Sequence, residues 1–124
     1  MQFTEVKIEV FIPEEYIETL RDELNKIGAC KTGEYDHCLS YSSVKGYWRP
    51  LEEASPFNGE IGQICEGQEC KVEIKCKREL VKDVLEVIND IHPYETPMIY
   101  IIPILNDYFE KLYIKYLGGI SIEK

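Results

Sequence analysis

Hydrophobic and polar residues alternate strictly from Thr4 to Ile12, with Val6, Ile8, Val10 and Ile12 on one side and Glu5, Lys7 and Glu9 on the other. A period of two is that of a half-buried β-strand. Pro13-Glu14-Glu15 then starts a helix, because proline is tolerated in the first turn and acids complement the positive end of the helix dipole. Ile17, Leu20, Leu24 and Ile27 follow at spacings of three, four and three, one helical face, and Gly28 stands where a left-handed C-cap belongs. Tyr35, His37, Leu39 and Tyr41 alternate with Asp36, Cys38, Ser40 and Ser42 and predict a second strand. Over 44–68 the periodicity disappears into a long excursion, which Trp48, Phe57 and Ile61 give something to pack with. Cys70, Val72, Ile74 and Cys76 alternate with Lys71, Glu73, Lys75 and Lys77, a third strand. Leu80, Val81, Val84, Leu85, Ile88 and Ile91 form a wide apolar helical stripe.

The second helix should stop at His92-Pro93-Tyr94-Glu95-Thr96-Pro97, since Pro93 disfavours the α conformation at His92 and has no N–H to donate. Met98 to Ile102 is then an apolar run on both faces, a strand that implies cover on both sides. Asn106 or Asp107 would cap a last helix over 106–118, ended by Gly118-Gly119. Strand-helix-strand-strand-helix-strand is the ferredoxin-like β-α-β-β-α-β order of the α+β class, an antiparallel sheet with both helices on one face. The first and third strands are central in that topology, setting Glu5, Lys7 and Glu9 against Lys71, Glu73 and Lys75 on the open face. The fourth lies at an edge, and an apolar edge is a liability in a monomer; the aromatic terminal helix or another subunit would cover it, and assembly is the favoured expectation.

The 124 residues fit one domain, 1–124. With 23 acidic against 14 basic side chains the net charge is -9, and no Lys/Arg cluster offsets it locally, which argues against nucleic acid as a partner. No apolar run approaches membrane-spanning length, and the N-terminus has no apolar signal core, so the expected setting is the cytoplasm, away from membranes. Five cysteines, an odd number without a C-x-x-C pair, are expected to be reduced thiols. Cys70 and Cys76 belong to the core, whereas Cys30 and Cys65 are placed in turns and more exposed.

The hinge gathers an imidazole, a phenol and a carboxylate, making it the best candidate site. His92 ends a helix, where the dipole supports a raised pKa. As a purely structural element His92 would be a C-cap bonded to Glu95, with Tyr94 as packing. Imidazole with carboxylate would instead suit Cu(II) or Zn(II), but two ligands three residues apart do not make a tight site. His37 and Cys38 would complete it only if the second strand or a neighbouring subunit approached, and adjacent strand residues face opposite ways. Cys38 as a nucleophile lacks an oxyanion-hole signature and a third orienting residue, so catalysis has little support.

Tyr35-Asp36-His37-Cys38, Trp48-Arg49-Pro50-Leu51, Pro56-Phe57 and Gly59-Glu60-Ile61-Gly62 resemble the small PII/CutA-like domain inserted in YqfO-type members of the Nif3-like dimetal family, a domain that also occurs alone. His92-Pro93-Tyr94-Glu95-Thr96-Pro97 with Ile102-Pro103-Ile104 resembles both that domain and the CutA divalent-cation-tolerance proteins. The resemblance runs from about Val6 to Ile104. It implies a ferredoxin-like subunit of a homotrimer, related to PII signalling proteins and acting as a non-catalytic regulatory or ligand-sensing module toward a small ligand or a regulatory protein. The excursion would be a PII-like effector loop or a packed cover, with Trp48, Arg49 and Tyr94 as its ligand candidates. Through the CutA likeness His92 and Glu95 carry over as copper or zinc ligands, with His37 and Cys38 behind them. The excursion follows the YqfO-type domain rather than CutA, and the large two-metal domain of the Nif3-like proteins is absent.

Overall fold

A computed structural model describes residues 2–110. Its elements are β1 (Glu5–Ile12), a 3-10 turn (Glu14–Tyr16), α1 (Ile17–Lys26), β2 (Ser40–Trp48), β3 (Cys65–Lys77), a second 3-10 turn (Arg78–Leu80), α2 (Val81–Ile91) and β4 (Ile99–Ile104). The strands form one antiparallel sheet in the order β2-β3-β1-β4, so β1 and β3 are central and β4 is an edge. Val6, Ile8, Val10 and Ile12 meet Cys70, Val72, Ile74 and Cys76 on one face, where Leu20 and Leu24 of α1 and Val84 and Ile88 of α2 close a single core. Each fully buried Leu or Ile there contributes about 1.5–3 kcal/mol of burial free energy. The fold is the expected ferredoxin-like α+β arrangement.

Gly28 does end the first helical segment, with φ +81°. The amide of Ala29 reaches back to the Leu24 carbonyl and that of Gly28 to Asn25, both at 3.0 Å, a Schellman closure that satisfies the last carbonyls of α1. On the open face the register sets Lys7 opposite Lys75 and Glu9 opposite Glu73, like against like. Attraction is recovered along the strand and the diagonals: Lys7 lies 3.1 Å from Glu9 and 3.2 Å from Glu73, and Lys75 lies 3.7 Å from Glu5.

The second strand needs correction. Residues 35–39 do not join the sheet: Thr32 and Tyr35 pair across a tight turn, and His37 takes a left-handed φ of 55°, which interrupts a strand. The alternation at Tyr35, His37 and Leu39 has no sheet behind it, and Tyr35 is 77% exposed. β2 instead runs on to Trp48 and β3 starts early at Cys65, so the irregular part of the 44–68 excursion shrinks to 49–64. Gly46 faces Gly67 and Trp48 faces Cys65 in that extension. Trp48 lies over Gly67, where a Cβ would come within 3.0 Å of the indole. The remaining loop is ordered by Gly62 N–H to the Pro50 carbonyl (2.8 Å) and by the Trp48 indole N–H to the Asn58 carbonyl (3.2 Å). Because β1 ends opposite Cys70, the paired 44–48 and 65–69 segments project beyond the four-stranded sheet as a two-stranded arm.

Cysteine placement differs as well. Cys30 is buried at 1% exposure and Cys65 is a half-buried strand residue, so neither sits in an exposed turn; Cys70 and Cys76 are core residues as expected. Within the single chain β4 stays partly exposed, with Tyr100, Ile101 and Ile102 at 45%, 43% and 41%. Pro103 is accommodated because β4 is an edge. The terminal helix begins at 106, with the Phe109 amide on the Leu105 carbonyl and the Asp107 carboxylate accepting from Thr4. Its expected continuation over 111–118 lies outside the described residues.

Candidate functional site

α2 ends at Ile91, and His92 is its C-cap with extended backbone (φ -68°, ψ 128°), as the following proline demands. At 8% exposure, His92 is the one buried polar or charged residue among those described. Its Nε2 lies 2.6 Å from the Phe11 carbonyl oxygen, and its Nδ1 lies 3.2 Å from the Tyr94 amide nitrogen. A carbonyl only accepts and an amide N–H only donates, so Nε2 carries the proton and Nδ1 the lone pair. The imidazole is a neutral clasp between the end of β1 and the turn after α2. Glu95 is not its partner, which corrects the expected cap.

Burial pushes the His92 pKa down, against the upward pull of the Phe11 carbonyl and of Glu69. The raised pKa expected from the helix dipole is therefore corrected: desolvation wins, and a second ring proton would meet the Tyr94 amide head-on. The rings of His92 and Tyr94 are 4.7 Å apart. Tyr94 donates its hydroxyl to the Glu69 carboxylate at 2.8 Å, and burial, followed by that carboxylate, drives its pKa above the ordinary phenol value.

The hinge also holds the long loop. The Glu95 carboxylate accepts from the Ser55 amide at 2.9 Å, and the Phe57 ring packs 5.9 Å from that of Tyr94. His92, Tyr94 and Glu95 thus form one cluster with Glu69 of the arm and residues 55–57 of the loop. Trp48 and Arg49 stand at the other end of that loop: Trp48 packs the arm through Gly67, and Arg49 is exposed beside buried Pro50.

His37 and Cys38 do not join this cluster. The His37 ring sits 2.9 Å from Asp36 and 3.9 Å from Asp22 of α1, its amide bonded to the Asn25 side chain. It borders a separate cleft of about 480 Å³ with Glu14, Glu18 and Arg21. The Cys38 thiol points at the Asp36 carbonyl (3.6 Å), and among the described residues no imidazole is hydrogen-bonded to it. Among the described residues no group of three or more His, Cys, Asp or Glu side chains is arranged to hold a metal ion. As the hinge stands, both His92 nitrogens and one Glu95 oxygen are already engaged, so this donor set does not fit a copper or zinc ion without giving up the clasp. The sequence offered no signal for the Phe11 carbonyl, a backbone group, and Glu69 was masked by a strand expected to start after it.

Comparison with known proteins adds a family context. Residues 60–118 match the family model of the CutA1 divalent ion tolerance protein. A GTP cyclohydrolase 1 type 2 homolog of Staphylococcus epidermidis is 39% identical over 92 residues, which are 74% of this chain and 25% of that protein. The chain therefore spans about a quarter of the length of the curated relatives it matches. A Bacillus cereus protein related to NIF3 superposes with a TM-score of 0.70 at 27% identity, over 82% of this chain and 26% of the other. The periplasmic divalent cation tolerance protein CutA of Archaeoglobus fulgidus superposes with a TM-score of 0.61 at 22% identity, over 81% of this chain and 83% of that one, a likeness of fold.

The clasp has a pH signature. A buried histidine whose folded pKa is depressed binds fewer protons than the unfolded chain, so its contribution is present above the unfolded value of about 6.5 and is lost as pH falls through the folded value. Urea unfolding should show stability declining as pH falls below about 6.5, and His92→Ala should cost about 2 kcal/mol at neutral pH and remove that part of the decline. A variant as stable as the parent at every pH would contradict the clasp.

Proposed function

We propose that this CutA-like, Nif3-related ferredoxin-like domain is a non-catalytic regulatory or ligand-sensing module that works as a homotrimer in the cytoplasm. The observation that carries the reading is β4. Ile101 stands on the helix side, opposite Ile8, and Tyr100 and Ile102 on the other, opposite Glu9 and Lys7; all three are more than 40% exposed at an edge that no strand among the described residues pairs with. An apolar edge of this kind is stabilised by pairing with another chain. The projecting arm is a second surface for neighbouring subunits, and loop 49–64, bordered by Trp48 and Arg49 and anchored at Tyr94 and Glu95, is the segment suited to respond to a small ligand or a partner protein. The five unpaired cysteines support the cytoplasmic setting. A non-catalytic role is supported by Cys38, whose thiol faces a carbonyl rather than a base.

Light scattering at micromolar concentration should give about three times the 14.5 kDa chain mass. Ile101→Lys should lower that mass while circular dichroism keeps the α+β signature, since the exposed edge tolerates the charge in a folded subunit. A monomeric parent chain at that concentration would remove the proposal's support.

A second reading, binding of divalent copper or zinc, is favoured by the CutA1 match over 60–118, which includes His92 and Glu95. With both imidazole nitrogens engaged, those residues would have to leave the clasp to reach a metal. Titration of Cu(II) and Zn(II) at neutral pH should therefore give the same affinity for the parent and for His92→Ala. An affinity lost only in the variant would restore His92 as a ligand.

A further inference from the structure

The chain is strongly acidic, yet folding gathers lysines from distant parts of the sequence into one cleft. It has a volume of about 560 Å³ and lies between the loop after α1, the beginning of β1, the end of β3 and the turn before α2. Lys31, Lys75 and Lys77 line it with Glu5 and Glu79, alongside the backbone of Gly28 and Gly33. Along the sequence no basic cluster offsets the acidity, and these lysines come together only in the fold. Lys75 is matched to Glu5 at 3.7 Å, which leaves Lys31 and Lys77, neither in an ion pair among the described residues, against the one carboxylate of Glu79.

Gly33 has φ +59° in the tight turn closed by Thr32 and Tyr35, a conformation that glycine adopts at no steric cost. Among the described residues, the amides of Lys31 and Gly33 donate to no protein acceptor. The nearby Arg78 is committed elsewhere: its guanidinium donates to the Phe3 carbonyl at 3.1 Å and lies 4.5 Å over the Phe3 ring. The cleft therefore offers ammonium groups without a planar guanidinium fork. It lies at the Lys77 end of β3, whereas the His92 hinge contacts Glu69 near the other end of that strand.

We propose that this cleft binds a small phosphate-type dianion, inorganic phosphate or a phosphomonoester. Its volume is that of a small-molecule site, not of a polymer groove. Ammonium groups act as point charges with rotatable donors, and such groups recur as binders of phosphate oxygens. The surrounding negative charge disfavours long polyanions and leaves a small ligand as the occupant.

The experiment is an amide-resolved NMR titration of the full chain with inorganic phosphate and, separately, with glycerol phosphate, at neutral pH and low salt, against sodium chloride at matched ionic strength. Saturable shifts are expected at 28–33 and 75–80, beyond those chloride produces. Lys31→Gln with Lys77→Gln should weaken binding about tenfold or more, while Lys82→Gln, on exposed α2 surface, should leave it unchanged. Tighter binding of one probe identifies free or organic phosphate as the better ligand. Shifts no larger than those with chloride, shifts centred elsewhere, or equal affinity in a folded double variant would overturn the proposal.

Discussion

The imidazole of His92 is the contact on which the rest of the molecule depends. Phe11, at the end of β1, gives its amide to the Met98 carbonyl and its own carbonyl to His92 Nε2. Both polar groups of that residue are therefore satisfied by the stretch between α2 and β4. A buried carbonyl left without its donor would cost about 1–3 kcal/mol. The constraint is directional as well: the ring must stay neutral, with Nδ1 open to the Tyr94 amide. After Pro93 has ended α2, one side chain thereby fixes how the turn is entered and where β4 joins β1.

The same turn connects the fold to its most unusual part. Tyr94 reaches Glu69 at the root of the arm, and Glu95 holds the Ser55 amide in the loop. The loop is thus tied to the hinge and, through Trp48 and Asn58, to the arm itself. Movement of the loop would be felt at the start of β4, the exposed apolar edge suited to a neighbouring subunit. In the proposed assembly, this chain of contacts is the route by which a ligand at the loop would reach the neighbouring subunit.

Much of this was legible in the sequence. The alternation of β1 and β3, the apolar stripes of both helices and the stop at Pro93 follow from local patterns that the tertiary structure reinforces. The β2–β3 arm was not legible, because Gly46 and Gly67 face one another and carry no side chain to show a period. The false strand at Tyr35 to Leu39 arose from an alternation with no sheet partner behind it, broken by the left-handed backbone of His37. At the hinge the residues were visible but their roles were not. His92 and Glu95 have the composition of a ligand set, yet their partners are a backbone carbonyl and two backbone amides, which no side-chain motif records. The lysine cleft was hidden for a related reason: Lys31 meets Lys75 and Lys77 only when the loop after α1 folds beside the end of β3.

The most direct measurement of the clasp is the protonation of the His92 ring by nitrogen-15 NMR. The predicted spectrum is that of a single neutral tautomer with hydrogen on Nε2, retained as pH is lowered through the range where exposed imidazoles titrate. A ring protonated on Nδ1, a tautomeric mixture, or an imidazolium at neutral pH would contradict the account.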